Sequence, residues 1–323
     1  MTKSTTFKKP IFALATFAIS ASLLLPGAAS AAAETSNQVN GSYSLGTNGY
    51  LANTGWSGMN NSNSTMTGEN QDSAQSIFYD TNSSFGYNWA YAADMTGTQS
   101  SPAISYGWNW TPGYENAGNF PVQIYKDNEN RRSNNSSSSS RQSQMKDINT
   151  SVSYSTEEAT GDYSTGYTVF IHNTQWAGAQ SQPSDIVKLV TSTSQNASTV
   201  IENKNKKDST STTNADMKTT VATWGDSLGR VSLDGANWDV YRKAMNSDMA
   251  GQSNFNAMNG NVYTFVRTEN ADSVNLNISN FIKNLLDRNE LNSFDYVSGV
   301  KFGTDVMSGS GKLNVTNWSI TAQ

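Results

Sequence analysis

Leu313-Asn314-Val315-Thr316-Asn317-Trp318-Ser319-Ile320, near the end of the chain, reads as a β-strand of β-branched, aromatic and alternating polar residues. Its apolar positions are 313 and 315, then 318 and 320. The parity changes near Thr316, which predicts a bulge there, or a strand covered on both faces. Tyr167-Thr168-Val169-Phe170-Ile171, Asn237-Trp238-Asp239-Val240-Tyr241 and Asn261 to Arg267 are further runs of strand length, set between turns of Gly, Asn and Ser. One stretch breaks the rhythm. In Asn277 to Leu286 the apolar residues fall at 278, 281, 282, 285 and 286, a helical period that lays one stripe against a sheet. Many strands and one helix predict an all-β fold, a sandwich of two packed sheets.

Composition narrows the chemistry. The chain has 323 residues and no cysteine, which excludes disulfides, thiolate nucleophiles, cysteine zinc sites and iron–sulfur clusters. A single histidine, His172, cannot build a multi-histidine metal centre, and no metal or other cofactor is expected. A net charge of −5 with 15% charged residues gives no footprint for nucleic acid. The 8 Trp and 14 Tyr, set among Ser, Thr and Asn, suit a sugar: ring C–H faces stack on aromatics and hydroxyls bond amides. The same aromatics are equally at home in a β core.

Lys3, Lys8 and Lys9, the apolar run Ile11 to Leu25 and Ala29-Ser30-Ala31 read as a secretory signal peptide over residues 1–31, so the mature protein is expected outside the cell. No later stretch has the roughly 20 apolar residues of a membrane span. Residues 32–42 are expected to be disordered, and 43–323 to form one domain. Within it the polar stretches at about 127–147 and 191–218 read as flexible loops, because neither carries enough apolar surface to offset chain entropy. There is no signal for an oligomer, and a monomer is expected.

The order of segments resembles glycoside hydrolase family 12. Residues 297–323, with Phe302-Gly303-Thr304-Asp305 and Leu313-Asn314-Val315-Thr316-Asn317-Trp318-Ser319, are similar to the family's closing Phe-Gly-Thr-Glu and Leu-x-Val-x-x-Trp-Ser strands. Gly235-Ala236-Asn237-Trp238-Asp239-Val240-Tyr241 resembles its Gly-x-x-Trp-x-Val-Tyr strand. Upstream, Pro102 to Trp108, Phe120-Pro121-Val122-Gln123-Ile124 and Asn53-Thr54-Gly55-Trp56 resemble its earlier pieces. The resemblance spans about 43–323. It implies a concanavalin-like jelly roll, two curved antiparallel sheets with an open cleft that binds β-1,4-glucan (cellulose, mixed-linkage glucan or xyloglucan).

The family cuts that backbone with retention, using two glutamates. The chemistry needs two carboxyls about 5–5.5 Å apart, one to attack C1 and one to protonate the leaving oxygen. By resemblance the acid/base position is Asp305. The nucleophile position is assigned to Asp185, in Ser184-Asp185-Ile186-Val187-Lys188-Leu189-Val190, and the supporting carboxylate becomes Thr168. Shortening Glu to Asp withdraws a carboxyl by about 1.5 Å, and about 1 Å of displacement can cost on the order of 100-fold. The expectation is therefore a glucan-binding protein with impaired or absent hydrolysis. The alternative is an active endo-β-1,4-glucanase with Asp185 and Asp305 as its pair, including an inverting arrangement with a water between carboxyls roughly 6.5–9.5 Å apart. Trp56 and Trp108 are the aromatics expected to line the cleft.

Overall fold

A computed structural model describes residues 34–38, 41–45, 49–54, 75–81, 84–93, 97–109, 119–125, 145–178, 181–194, 224–245 and 260–323. Among these are sixteen strands and one α-helix. Residues 1–33, Trp56 and most of the two polar stretches at 127–147 and 191–218 lie outside the described residues. Residues 33–323 form one compact unit.

The strands build two sheets. The smaller has the order β1-β4-β5-β16-β8-β14, where β1 is Glu34–Ser36, β4 Gln75–Thr81, β5 Ser84–Tyr91, β8 Ile148–Glu157, β14 Ser273–Asn277 and β16 Gly309–Ala322. The larger has the order β11-β12-β13-β10-β9-β15-β6-β3-β2. Its members are β2 Ser42–Ser44, β3 Gly49–Ala52, β6 Ala103–Gly107, β9 Tyr163–His172, β10 Asp185–Thr193, β11 Asp226–Leu233, β12 Ala236–Ala244, β13 Asn261–Arg267 and β15 Tyr296–Val306. The short β7, Val122–Gln123, pairs with β15 off this path. All described pairs are antiparallel except β10 with β13. After β10 the chain runs out to the sheet edge as β11 and returns through β12 and β13, which is the long connection a parallel pair requires.

The patterns read from the sequence recur here. Strand β16 has a register shift between Val315 and Asn317, so Leu313 and Val315 stay in the core and Trp318 rejoins the core side after the bulge. The helix α1, Ile278–Asp287, is capped by Asn277, whose side chain accepts a hydrogen bond from the Ser279 amide. Its buried face includes Ile278, Phe281, Ile282, Leu285 and Leu286. Phe281 meets the rings of Trp238 and Phe265 edge-on, each with centroids at 5.1 Å. The helix is thereby seated on the core side of β12 and β13.

Two expected boundaries move. Glu34–Ser36 is not disordered: it pairs with β4, Glu34 opposite Tyr79. Thr191, Ser192 and Thr193 are the end of β10 rather than the start of a loop. Thr191 is fully buried and its hydroxyl donates to the Thr165 carbonyl, so a polar residue there satisfies the core instead of solvent.

Replacing Phe281 with Ala would leave a cavity between helix and sheet at a site with no exposure. The expected loss of stability is about 3–5 kcal/mol, read from the midpoint of urea unfolding.

Candidate ligand-binding cleft

The larger sheet has one face in the core and one turned away from it. On β9, Tyr167, Val169 and Ile171 belong to the main core, so Ser164, Gly166, Thr168 and Phe170 point the other way. On β10 the core takes Val187 and Leu189, and Ile186, Lys188 and Val190 share the outer face with Thr168. Cross-strand register aligns one row across this face: Tyr50, Ser105, Lys301, Thr168, Lys188, Thr264 and Tyr241, from β3 to β12. Two lysines therefore occupy the middle of the cleft floor, on either side of Thr168.

Asp305 lies on β15 two pleats beyond Lys301, on the same face. Between them, in register, are Gly303 and Gly166. A Cβ at Gly166 would run into the Leu189 carbonyl, and one at Gly303 into the Pro102 carbonyl. Without side chains there, the long lysines can reach the carboxylate. Lys188 Nζ donates to Asp305 Oδ2 at 2.7 Å. The Ser101 hydroxyl donates to Asp305 Oδ1 at 2.6 Å and accepts from Lys301 Nζ at 2.7 Å. These groups enclose a pit of about 10 Å³, which holds on the order of one water.

The electrostatics follow from that packing. Burial alone would raise the Asp305 pKa, but the charges of Lys188 and Lys301 and the hydrogen bonds from Lys188 and Ser101 outweigh it. They hold the carboxyl well below its usual range. Lys301, buried, is pushed down to about 8. Asp305 is thus a carboxylate at any physiological pH, without a proton to give. Among the described residues lining the pit it is the sole acid.

Asp185 is elsewhere. It shares parity with Val187 and Leu189, so it sits on the core side of β10, where its Oδ1 accepts from the Asn261 amide at 2.9 Å. Its charged neighbours are Asp295 and Glu290, not Asp305. Burial, reinforced by those two carboxylates, raises it to about 6. The sheet itself separates Asp185 from Asp305, so the expected aspartate pair does not form, with either retaining or inverting spacing.

Trp108 also differs from expectation. It is on the cleft side of the sheet but only 1% exposed, packed with Phe170 and Ala177. Its Nε1 donates to the Gly178 carbonyl at 2.7 Å, and its ring stands edge-on to His172 at 4.3 Å. It pins the loop that follows β9 onto the cleft face rather than offering a stacking surface. That loop carries Trp176, 73% exposed, which sequence reading passed over. His172 is a packing histidine: its Nδ1 lies 2.7 Å from Ser298 Oγ and burial lowers it to about 4. Farther along the face, Trp224 covers Val190, Tyr241 and Val266, and Arg230 grips Asp239 through two bonds of 2.8 and 3.0 Å. Among the described residues no cluster of three or more His, Cys, Asp or Glu could hold a metal ion.

A two-sheet jelly roll with one helix, whose larger sheet offers a polar, aromatic-flanked face, defines a protein of the concanavalin-like class. The profile described as Glycosyl hydrolase family 12 matches residues 217–323. Endoglucanase S of Pectobacterium parmentieri is 27% identical over 311 residues, 96% of this chain and 95% of that one. Among solved structures, the native family 12 xyloglucanase from Bacillus licheniformis superimposes with a TM-score of 0.63 at 27% identity, over 90% of this chain and 100% of the other. Endoglucanase 3 of Trichoderma harzianum shares the fold, with a TM-score of 0.59 at 17% identity over 92% of this chain and 100% of its own. The chain is thus similar to family 12 proteins over nearly its whole length, and the family profile itself covers its last third.

The position of Asp185 can be tested by linkage. Its folded pKa is raised to about 6, so the folded state binds more protons than the unfolded one between about pH 4 and 6. The contribution of this residue to stability is greatest below that window and falls as pH rises through it. Asp185→Asn keeps an acceptor for the Asn261 amide and removes the charge. At pH 7 it is expected to raise stability by on the order of 1–2 kcal/mol and to flatten the pH 4–6 slope in thermal unfolding, with ligand binding unchanged.

Proposed function

We propose that this protein is a secreted, single-chain β-1,4-glucan-binding member of family 12 that holds the polysaccharide in its cleft without cutting it. The reading rests on one observation: the carboxylate of Asp305 is spent on Lys188 at 2.7 Å, with no second carboxyl among the described residues that line the pit. By the resemblance, Asp305 stands at the acid/base position and Thr168 at that of the supporting carboxylate, which bonds the nucleophile. The cross-strand partner of Thr168 on β10 is Lys188. We therefore assign the nucleophile position to Lys188, and Lys188-Leu189-Val190 fits the family's Glu-Leu-Met better than Asp185-Ile186-Val187 does.

Hydrolysis with retention asks for a nucleophilic carboxylate and a protonated acid. An ammonium held by a carboxylate is neither. A cationic nitrogen has no lone pair for C1, and an anion stabilised by two lysines has no proton for the leaving oxygen. What persists is a binding surface: Thr168 and Ser164 bring hydroxyls to the pit, and Trp176 offers an exposed ring on the loop after β9. Export is supported by the leader-like segment at residues 1–31. The competing reading, an active endo-β-1,4-glucanase, draws on the near full-length alignment with Endoglucanase S.

Reducing-end release from xyloglucan and mixed-linkage glucan separates the two. The mature protein is expected to release no more than its Asp305→Asn variant; release above that level would establish an enzyme. In affinity electrophoresis the same glucans should retard the protein, and Trp176→Ala should weaken retardation by about five- to tenfold in apparent Kd, the scale of one lost aromatic stacking contact.

A further inference from the structure

His172, the chain's only histidine, has a ring nitrogen for which the fold supplies no partner. It shares parity with Phe170 and Thr168, so it points to the outer face of β9, yet it is 1% exposed. Its hydrogen bonding fixes where its proton sits. The Ser298 hydroxyl gives its one proton to the Phe170 carbonyl at 3.1 Å, so toward His172 it accepts, and Nδ1 carries the hydrogen across 2.7 Å. Nε2 is then a bare lone pair, buried and unpartnered. A second proton from solvent would enter there and make a buried cation whose new N–H has no acceptor. No neighbouring charge offsets this: burial is what lowers the proton affinity of the ring. Around it stand Ser298 and the phenol of Tyr296 on β15, the Trp108 indole after β6, and Gln123 of β7 on the far side of Tyr296. Residues 173–178 contain no ionisable side chain. Asp185 is cross-strand to Ile171 on the core side, and Asp295 accepts from the Ser184 hydroxyl at 3.0 Å.

The cover over His172 is Trp108, with ring centroids 4.3 Å apart; Ala177 packs beside that indole and the Gly178 carbonyl holds its N–H. Lifting residues 173–178 away from Trp108 opens a way for water to reach Nε2. Reaching it by unfolding β9 would also expose Val169 and Ile171, which have no exposure in the core. The local route therefore costs less, and the segment it moves is the one that carries Trp176.

We propose that His172 is an acid-sensitive latch: a proton taken up at Nε2 undocks residues 173–178 from Trp108 and frees the loop that presents Trp176. With the segment docked the ring titrates at about 4, and with Nε2 back in water it returns toward its ordinary 6.5. Undocking thus takes up a proton, so the docked form is fully stable above that window and loses stability as pH falls through it. This goes beyond the ligand reading above and does not depend on it.

Hydrogen exchange of the Trp108 indole N–H, followed by NMR and assigned with Trp108→Phe, reports the latch because that group donates to Gly178. Between about pH 7 and about pH 4.5 its protection, corrected with a free indole, is expected to fall on the order of 50-fold, the ratio that follows from values of about 4 docked and 6.5 undocked. The Trp238 indole N–H, buried and bonded to the Leu233 carbonyl, should keep its protection over the same range. His172→Asn retains a donor for Ser298 but cannot take a proton, and should leave Trp108 protection level with pH. His172→Gln serves the same purpose if a melting curve shows the asparagine variant unfolded. Unchanged Trp108 protection in the wild type, a fall that persists in a folded variant, or a parallel loss at Trp238 overturns the latch.

Discussion

The pairing of β9 with both β10 and β15 is the constraint from which the rest of the site follows. Strand β9 sets Thr168 between Lys188 and Lys301 and sets Ser164 beside Asp305. A slip of one residue on either side would turn the lysines into the core and bring Val187 or Leu189 out to solvent. The apolar half of each strand therefore fixes where every cleft-facing group stands. The Lys188–Asp305 contact needs no loop to hold it; it follows from register and from two glycines with no side chain in the way.

The contact is not retained for stability in any simple sense. A half-exposed ion pair contributes little on balance, because desolvation offsets most of the Coulombic attraction. Its consequence is chemical. Asp305 is kept ionised by its neighbours, and those neighbours are themselves committed to it. Lys301, buried, would carry an unshared charge if Asp305 were removed, which is the costly outcome for such a cluster. The three side chains and Ser101 form a unit, and the acid/base cycle of a glycosidase would have to break that unit at each turnover.

Much of the fold was legible in the sequence because periodicity reports burial. The helix stripe at 278, 281, 282, 285 and 286 occurs as read, and of the two readings of the parity change near Thr316 the bulge is the one found. The cleft was harder. In Asp185-Ile186-Val187-Lys188-Leu189-Val190 both parities contain apolar residues, since β10 packs on the core with one face and against Phe170 and Tyr241 with the other. Alternation then says nothing about which face holds the acid, and Asp185 is the acidic residue of the run. The face is set by Thr168: a cross-strand neighbour of that residue must share its face, and Asp185 pairs with Ile171 instead. Tryptophans mislead for a similar reason. Trp108 packs under the loop that carries Trp176, and only packing tells which is the anchor and which is exposed.

The same alternation explains how a two-sheet scaffold can keep its shape whatever groups line its outer face. On β9, β10 and β15 the core-facing residues are large and apolar: Tyr167, Val169, Leu189 and Phe302 are all essentially unexposed. Their outward neighbours Thr168 and Lys188 add little to that core. Substitution there alters charge and reach without disturbing the packing between the sheets. A cleft built on alternate positions of a two-sheet fold is thus energetically separable from the fold. That separability lets an ammonium stand beside Asp305 while the jelly roll, its bulge and its helix remain intact.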